Sequence, residues 1–447
     1  MQLNTSHLSK KEDITFLKAY GPIFVSMLFT TFADIVDAIV LGQSLGTVGL
    51  SAISFSIPLY MVMNVLMHSI GLGGAVMYSS RKLRDEEDAG NILCSCLYVL
   101  IIVGFICSII ILTFTDSILS LFHVKYGTNL YKESLTYMRL IGIATPFIMF
   151  SYGSAYFLRA NSFFKFAGNV FIAGNIVDIL LNVILVSIFH MNALGAGIAT
   201  LSGSVTVCIG EFICIVINRK IIPPKRHLNF VDVYRSFIHG FSKNSAFIFS
   251  FIFVSLMNIA CMKLYHNSGV AAYEVIQNIS YMLMYLYGAI TQVMQPFISE
   301  NYSKHNNRVT NKYAQIALRI GFVNGIIVSI LFYLHPDWIA RLFNVEQNMI
   351  VLESIRIYCT GILFMGFNTI ISEIFIDMEI KTPSIIASVI KAIFSISPLL
   401  FILYNVDKAV LWWMFPIPEI VIFIALLIYT LVFMRKHNRY YTERKYL

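Results

Sequence analysis

The chain has 447 residues, 57% of them hydrophobic and only 13% charged. Soluble domains carry about a quarter charged residues, so the composition excludes an ordinary soluble protein and points to a polytopic α-helical membrane protein. The net charge of +8 comes from Lys and Arg in short connecting segments, which membrane topology explains without any nucleic-acid partner.

Apolar stretches of about 20 residues or more, each able to cross a bilayer at about 1.5 Å per residue, recur along the whole chain. After an N-terminus over 1–13, they predict twelve helices at 14–43, 48–80, 88–115, 127–159, 163–189, 192–218, 231–265, 268–302, 308–335, 345–379, 383–405 and 408–434. A basic tail follows at 435–447. One set of connections holds Arg81, Lys82, Arg84, Arg159, Lys165, Arg219, Lys220, Lys225, Arg226, Lys304, Arg308, Lys312 and Lys381, together with the tail. The opposite set holds little beyond Lys125, Lys132, Arg341 and Lys408. The basic side is expected to be cytoplasmic, with both termini on it, as an even helix count requires.

The connection RKIIPPKRHLNF (219–230) carries a Pro-Pro pair at the midpoint and divides the chain into an N-lobe over 14–218 and a C-lobe over 231–434. LGQSLGTVGLSAISFSIPLYMVM (41–63) aligns without gaps to LYHNSGVAAYEVIQNISYMLMYL (264–286), pairing Gly46 with Gly269 and Ser51 with Glu274. Each half has an even number of helices, so the expectation is two pseudo-symmetric six-helix lobes related as parallel repeats. Secondary transporters are commonly built this way. The seven cysteines fall almost all within apolar spans, at spacings that match no metal site or disulfide framework.

Carboxylates inside apolar spans are costly, at about 2.5 kcal/mol or more at the bilayer centre, and several occur here. Asp37 lies about 9–10 Å below the end of helix 1, and Asp34 about 14 Å below it. In helix 5, Asn182 lies about 12 Å below His190 and Asp178 about 18 Å, four residues apart and so on one face. Thr200 lies about 12 Å down helix 6. Asp37, Asn182 and Thr200 therefore share one depth, with Asp34 and Asp178 about a turn deeper. Such an oxygen cluster suits a proton or a hard cation. Close together in a low dielectric, the three carboxylates cannot all remain ionised, and they would titrate as a coupled unit.

VDAIVLG (36–42), LRANSFFKFA (158–167), LGAGIAT (194–200) and QPFISENYSKHN (295–306) together resemble the multidrug and toxic compound extrusion (MATE) family. That family belongs to the superfamily that also holds lipid-linked oligosaccharide flippases. The resemblance implies that Asp37 and Thr200 belong to an N-lobe cation-coupling site. Two departures stand out. Asp178 precedes Asn182, where the family has Asn followed by Asp, and Asp34 falls where it usually has Asn. With Na⁺ as the coupling ion, Asp37 and Asp178 would be metal ligands; with H⁺ they would carry the proton. Members often use a C-lobe acid, for which Glu274 is the candidate. Gln277, Tyr281, Gln292 and Gln295 are candidates for the border of a substrate cavity, against the plainer reading of Gln as interhelical glue.

The expectation is an H⁺- or Na⁺-coupled antiporter exporting amphipathic cationic small molecules, monomeric in the cell membrane, with no cofactor and no enzymatic activity. The nearest rival is a flippase for a lipid-linked saccharide. It would need basic residues within the cavity, and few Lys or Arg lie inside spans apart from Arg139, Lys263 and Lys391. A membrane-embedded enzyme is the reading from another class. No paired His-Asp, Cys-His or Ser-Lys constellation supports it.

Overall fold

A computed structural model describes residues 20, 35–82, 86–161, 163–217, 228–244, 246–304, 306–404 and 406–444. Among them no strand occurs, and ten helices are long and apolar enough to cross a membrane. A shorter apolar helix, Ile35–Leu45 (α1), ends the first predicted span, most of which lies outside the described residues. There follow α2 (Thr47–Lys82), α3 (Glu86–Leu121), α4 (Asn129–Ala160), α5 (Phe164–Asn182, prolonged through Val183–Ile188) and α6 (Asn192–Ile217). Next come α7 (Phe230–Asn244), α8 (246–265) and α9 (267–303), the last two divided by a non-helical His266. The series closes with α10 (Asn307–Leu334), the short α11 (Pro336–Leu342), α12 (Met349–Asp377), α13 (Thr382–Tyr404) and α14 (Lys408–Phe433). The predicted linker 219–230 lies largely outside the described residues.

Caps set several of these starts. Thr128, Asn306 and Asn348 accept hydrogen bonds from backbone N–H groups in the first turns of α4, α10 and α12, satisfying donors that a helix cannot satisfy itself.

The helices gather into two compact units. One comprises Ile35–Glu274 with Leu342–Val345; the other comprises Val275–Arg341 and Glu346–Leu447. In the first unit, α4 packs against α2, α3 and α6, α5 lies on α6, and α7 runs along α2. The α2–α7 contact is made backbone to backbone. A Cβ on Gly73 would run into the Ser236 carbonyl, and one on Gly240 into the Ser69 carbonyl. Small residues four apart on both helices thus allow an approach that larger ones would block. In the second unit, α12 packs against α10 and α14 around Ile371, Phe375, Ile422 and Leu426.

The internal repeat has a register three residues away from the sequence alignment. The break before α2 falls at Gly46 (φ 56°, ψ −131°) and the break before α9 at His266 (φ 55°, ψ −145°). A Cβ on Gly49 would meet the Leu41 carbonyl and Leu45 Cβ; one on Gly269 would meet the Cys261 carbonyl and Tyr265 Cβ. Gly269 is therefore the counterpart of Gly49 rather than of Gly46, and Glu274 corresponds to Ser54. A slip of three residues is close to one helical turn and leaves the apolar pattern almost unchanged, so hydrophobicity alone could not fix the register. A second repeated element is LFHV (121–124) and LFNV (342–345), where His123 and Asn344 both take a left-handed conformation (φ 59° and 55°).

Candidate functional site

The first unit draws α1, α2, α4, α5 and α6 together around one carboxylate. Asp37 on α1 accepts a short hydrogen bond from the Asn182 amide Nδ2 on α5. It also accepts one from Thr200 Oγ1 on α6 at 3.1 Å, and a long contact of 3.5 Å from the Tyr137 hydroxyl on α4. The Thr200 hydroxyl lies equally close to the Ala196 carbonyl, at 3.1 Å, so its single proton has two acceptors to choose between.

Asp178 stands one turn before Asn182 and lies near Asp37. Its position depends on Gly203 of α6. A Cβ there would come within 2.9 Å of both Asp178 Cβ and the Gly174 carbonyl. Gly174 faces Gly203 in turn, its own Cβ position lying 2.9 Å from the Gly203 carbonyl. The glycine pair lets α5 settle on α6 and brings Asp178 against it. Tyr60 on α2 lies near both Asp37 and Asp178.

Two polar atoms of the cluster are buried with no hydrogen-bond partner among the described residues: Asp178 Oδ1 and Asn182 Oδ1. Buried polar atoms are nearly always satisfied, so two such atoms one turn apart on α5 make this face the candidate for a bound ligand. Immediately after Asn182 the helix widens into a π-helical stretch, Val183–Ile188. Such wide turns recur at functional sites.

Of the residues singled out in the sequence, Asp37, Asn182 and Thr200 meet through hydrogen bonds, and Asp178 adjoins them. Asp34 lies outside the described residues. Glu274 is buried at the end of the first unit. The polar stripe of α9 does not share one environment. Gln277 is buried, Tyr281 is half-buried, and Gln292 and Gln295 are exposed. Tyr137, Tyr60 and Gly203 were not anticipated. Tyr137 lies about 12 Å from the start of α4, the same depth as Asn182 and Thr200, so the depth comparison could have found it. Tyr60 and Gly203 carry no comparable signal in the sequence.

The family model MatE matches residues 22–184 and 245–401. The multidrug export protein MepA of Staphylococcus haemolyticus (strain JCSC1435) is 22% identical over 357 residues, covering 77% of each chain. The probable multidrug resistance protein YoeA of Bacillus subtilis (strain 168) is 21% identical over 346 residues, covering 74% of this chain and 73% of its own. Among solved structures, the inward-facing conformation of a multidrug resistance MATE family transporter of the MOP superfamily superposes with a TM-score of 0.79 at 18% identity, over 93% of this chain and 98% of that one. The MATE multidrug transporter DinF-BH, solved as a ligand complex, gives a TM-score of 0.68 at 20% identity, over 92% and 94%. These structural likenesses establish the fold: a helical membrane protein of twelve helices in two lobes.

Proposed function

Because the chain belongs to the MatE family, we propose that it is a secondary antiporter that exports amphipathic cationic small molecules in exchange for H⁺ or Na⁺. The observation that carries this reading is the meeting of Asp37, Asn182 and Thr200 beside Asp178 among membrane-length helices. Two lobes, over 14–218 and 231–434, would expose the substrate alternately to either side of the cell membrane, with the termini cytoplasmic. Binding drives such a change only through different affinities for the two states.

The two ions ask different things of the same residues. A proton needs only a carboxylate oxygen, and Asp178 Oδ1 is buried with no partner among the described residues. Sodium needs several oxygens at once. Asp37, Asp178 and Thr200 supply theirs directly, whereas Asn182 points its Nδ2 at Asp37 and would have to turn its amide to present Oδ1. The substrate class follows from charge: acidic groups within the spans attract cations and repel anions. The relatives' names, multidrug export protein and multidrug resistance protein, support the export of small molecules.

The test is uptake of a fluorescent organic cation into proteoliposomes under an imposed pH gradient or an imposed Na⁺ gradient, with wild type and Asp37→Asn. Uptake driven by one gradient and reduced at least about tenfold in the variant is expected, since a charge-assisted site loses more than about 1.4 kcal/mol. Well-folded protein that moves the cation under neither gradient would refute the reading and favour the lipid-linked substrate.

A further inference from the structure

The second unit holds a charged pair that the coupling site does not use. Lys391 on α13 and Glu419 on α14 meet at 3.2 Å, with the Glu419 side chain 15% exposed and that of Lys391 56% exposed. Lys391 lies about 20 Å from the end of α13, well inside the span. An ionisable pair at that depth needs a reason, because charges within a bilayer are costly and mostly functional. The other Glu419 oxygen accepts from Asn368 Nδ2 at 2.7 Å, and the same Nδ2 also reaches the Glu419 carbonyl at 2.8 Å. Glu419 is therefore fixed by α12 on one side and held by a long, movable ammonium on the other.

Glu419 also lines a cavity of about 140 Å³, together with Ser280, Tyr358, Gly361, Met365 and Phe415. Tyr358 and Phe415 meet edge to face with ring centroids 5.7 Å apart. The Tyr358 hydroxyl is tied to Ser280 at 2.8 Å, which fixes one aromatic wall. A carboxylate beside two aromatic rings and a thioether is the chemistry that recognises an organic ammonium ion. The volume sets its size. Drug-sized ligands occupy pockets of about 300–1,000 Å³, so this cavity takes an ammonium head with short alkyl arms rather than a fused aromatic system.

We propose that this cavity is a binding subsite for the quaternary or alkyl ammonium group of a substrate, with Glu419 as its anion and Lys391 as a built-in competitor. The inference rests on the reading of the protein as an exporter of organic cations and names where such a cation is held. While Lys391 neutralises Glu419, the cavity's affinity for a cation is low. When the lysine swings away, the carboxylate is released to the incoming ammonium. Asn368 keeps the carboxylate in place during the exchange.

The experiment is equilibrium binding of radiolabelled tetraethylammonium to the full-length protein in lipid nanodiscs, with gradient-driven uptake of the same cation measured on the same preparation. Lys391→Met removes the competitor and should tighten binding about threefold to tenfold; Lys391→Arg keeps the positive charge and should bind like wild type. Glu419→Gln should weaken binding at least about tenfold, also in the Lys391→Met background. A purely structural ion pair gives another pattern, with Lys391→Met and Glu419→Gln both weakening binding or both leaving it unchanged. That outcome, or no binding in any variant, overturns the subsite, while uptake by wild type still upholds the transporter reading. Should Glu419→Gln fail to purify as a monodisperse species, the sign of the Lys391→Met effect decides alone: tighter supports the subsite, unchanged or weaker overturns it.

Discussion

Asp37 and Glu419 are both carboxylates within spans, yet they are held in opposite ways. Around Asp37 the described donors include an amide and two hydroxyls, one of the latter at the limit of a hydrogen bond. Around Glu419 one donor is an amide and the other a full ammonium. Neutral dipoles solvate a charge without cancelling it, so under the proposed function the first arrangement would respond directly to a proton or cation. An ammonium cancels the charge, so the second responds only when that ammonium leaves. Removing a fully made donor should therefore weaken the first site, whereas removing the lysine should strengthen the second.

The strongest way to break this contrast, beyond Asp37→Asn, is through backbone proximity rather than charge. Gly203→Val places a branched side chain where even a Cβ would sit 2.9 Å from Asp178 and from the Gly174 carbonyl. Overpacking of this kind costs about 1–3 kcal/mol and here must push α5 from α6. Gradient-driven uptake should fall about tenfold or more, with a lower melting temperature. Gly203→Ala should fall between valine and wild type. Full uptake in the valine variant would mean that Asp178 does not depend on this approach.

A milder change sharpens the role of the neutral donors. Thr200→Val keeps the shape but deletes the hydroxyl that donates to Asp37 at 3.1 Å. The loss of a hydrogen bond to a charged group is worth about 1.5–3 kcal/mol when the bond is fully made. Here the Ala196 carbonyl competes for the same proton, so a reduction in uptake of about threefold to tenfold is expected. Thr200→Ser should restore uptake. Equal loss in both variants would assign the residue to packing and not to solvating the carboxylate.

The sequence made some of this legible and hid the rest for physical reasons. Helix number and order followed from apolar length, and even the α8–α9 break at His266 fell between the predicted spans 231–265 and 268–302. Asp37, Asn182 and Thr200 emerged from depth alone, because rise per residue is constant in a helix. The repeat register did not, since a slip of about one turn preserves hydrophobicity. Gly203 was hidden because a glycine's value lies in what its neighbour can approach. Lys391 stood out as a charge within a span, but its partner Glu419 lies on the next span, beyond the reach of i,i+4 spacing. The buried and exposed ends of α9 were equally hidden, as periodicity gives Gln277 and Gln295 the same face without saying what covers it.

Tyr137 gives the smallest expected effect and the finest discrimination. Its hydroxyl stands 3.5 Å from Asp37 Oδ2, at the limit of a hydrogen bond, while the residue is 2% exposed. At that distance the bond contributes little, so Tyr137→Phe should change uptake by no more than about twofold. Tyr137→Ala deletes the ring as well and leaves a cavity, at a cost of about 3–5 kcal/mol for a buried aromatic, visible as a large fall in melting temperature. If Tyr137→Phe instead lowers uptake as much as Thr200→Val, the hydroxyl must close on Asp37 in another step of the cycle. Asp37 would then draw on a third full donor there, and its distance from the lysine-held Glu419 in kind would be wider still.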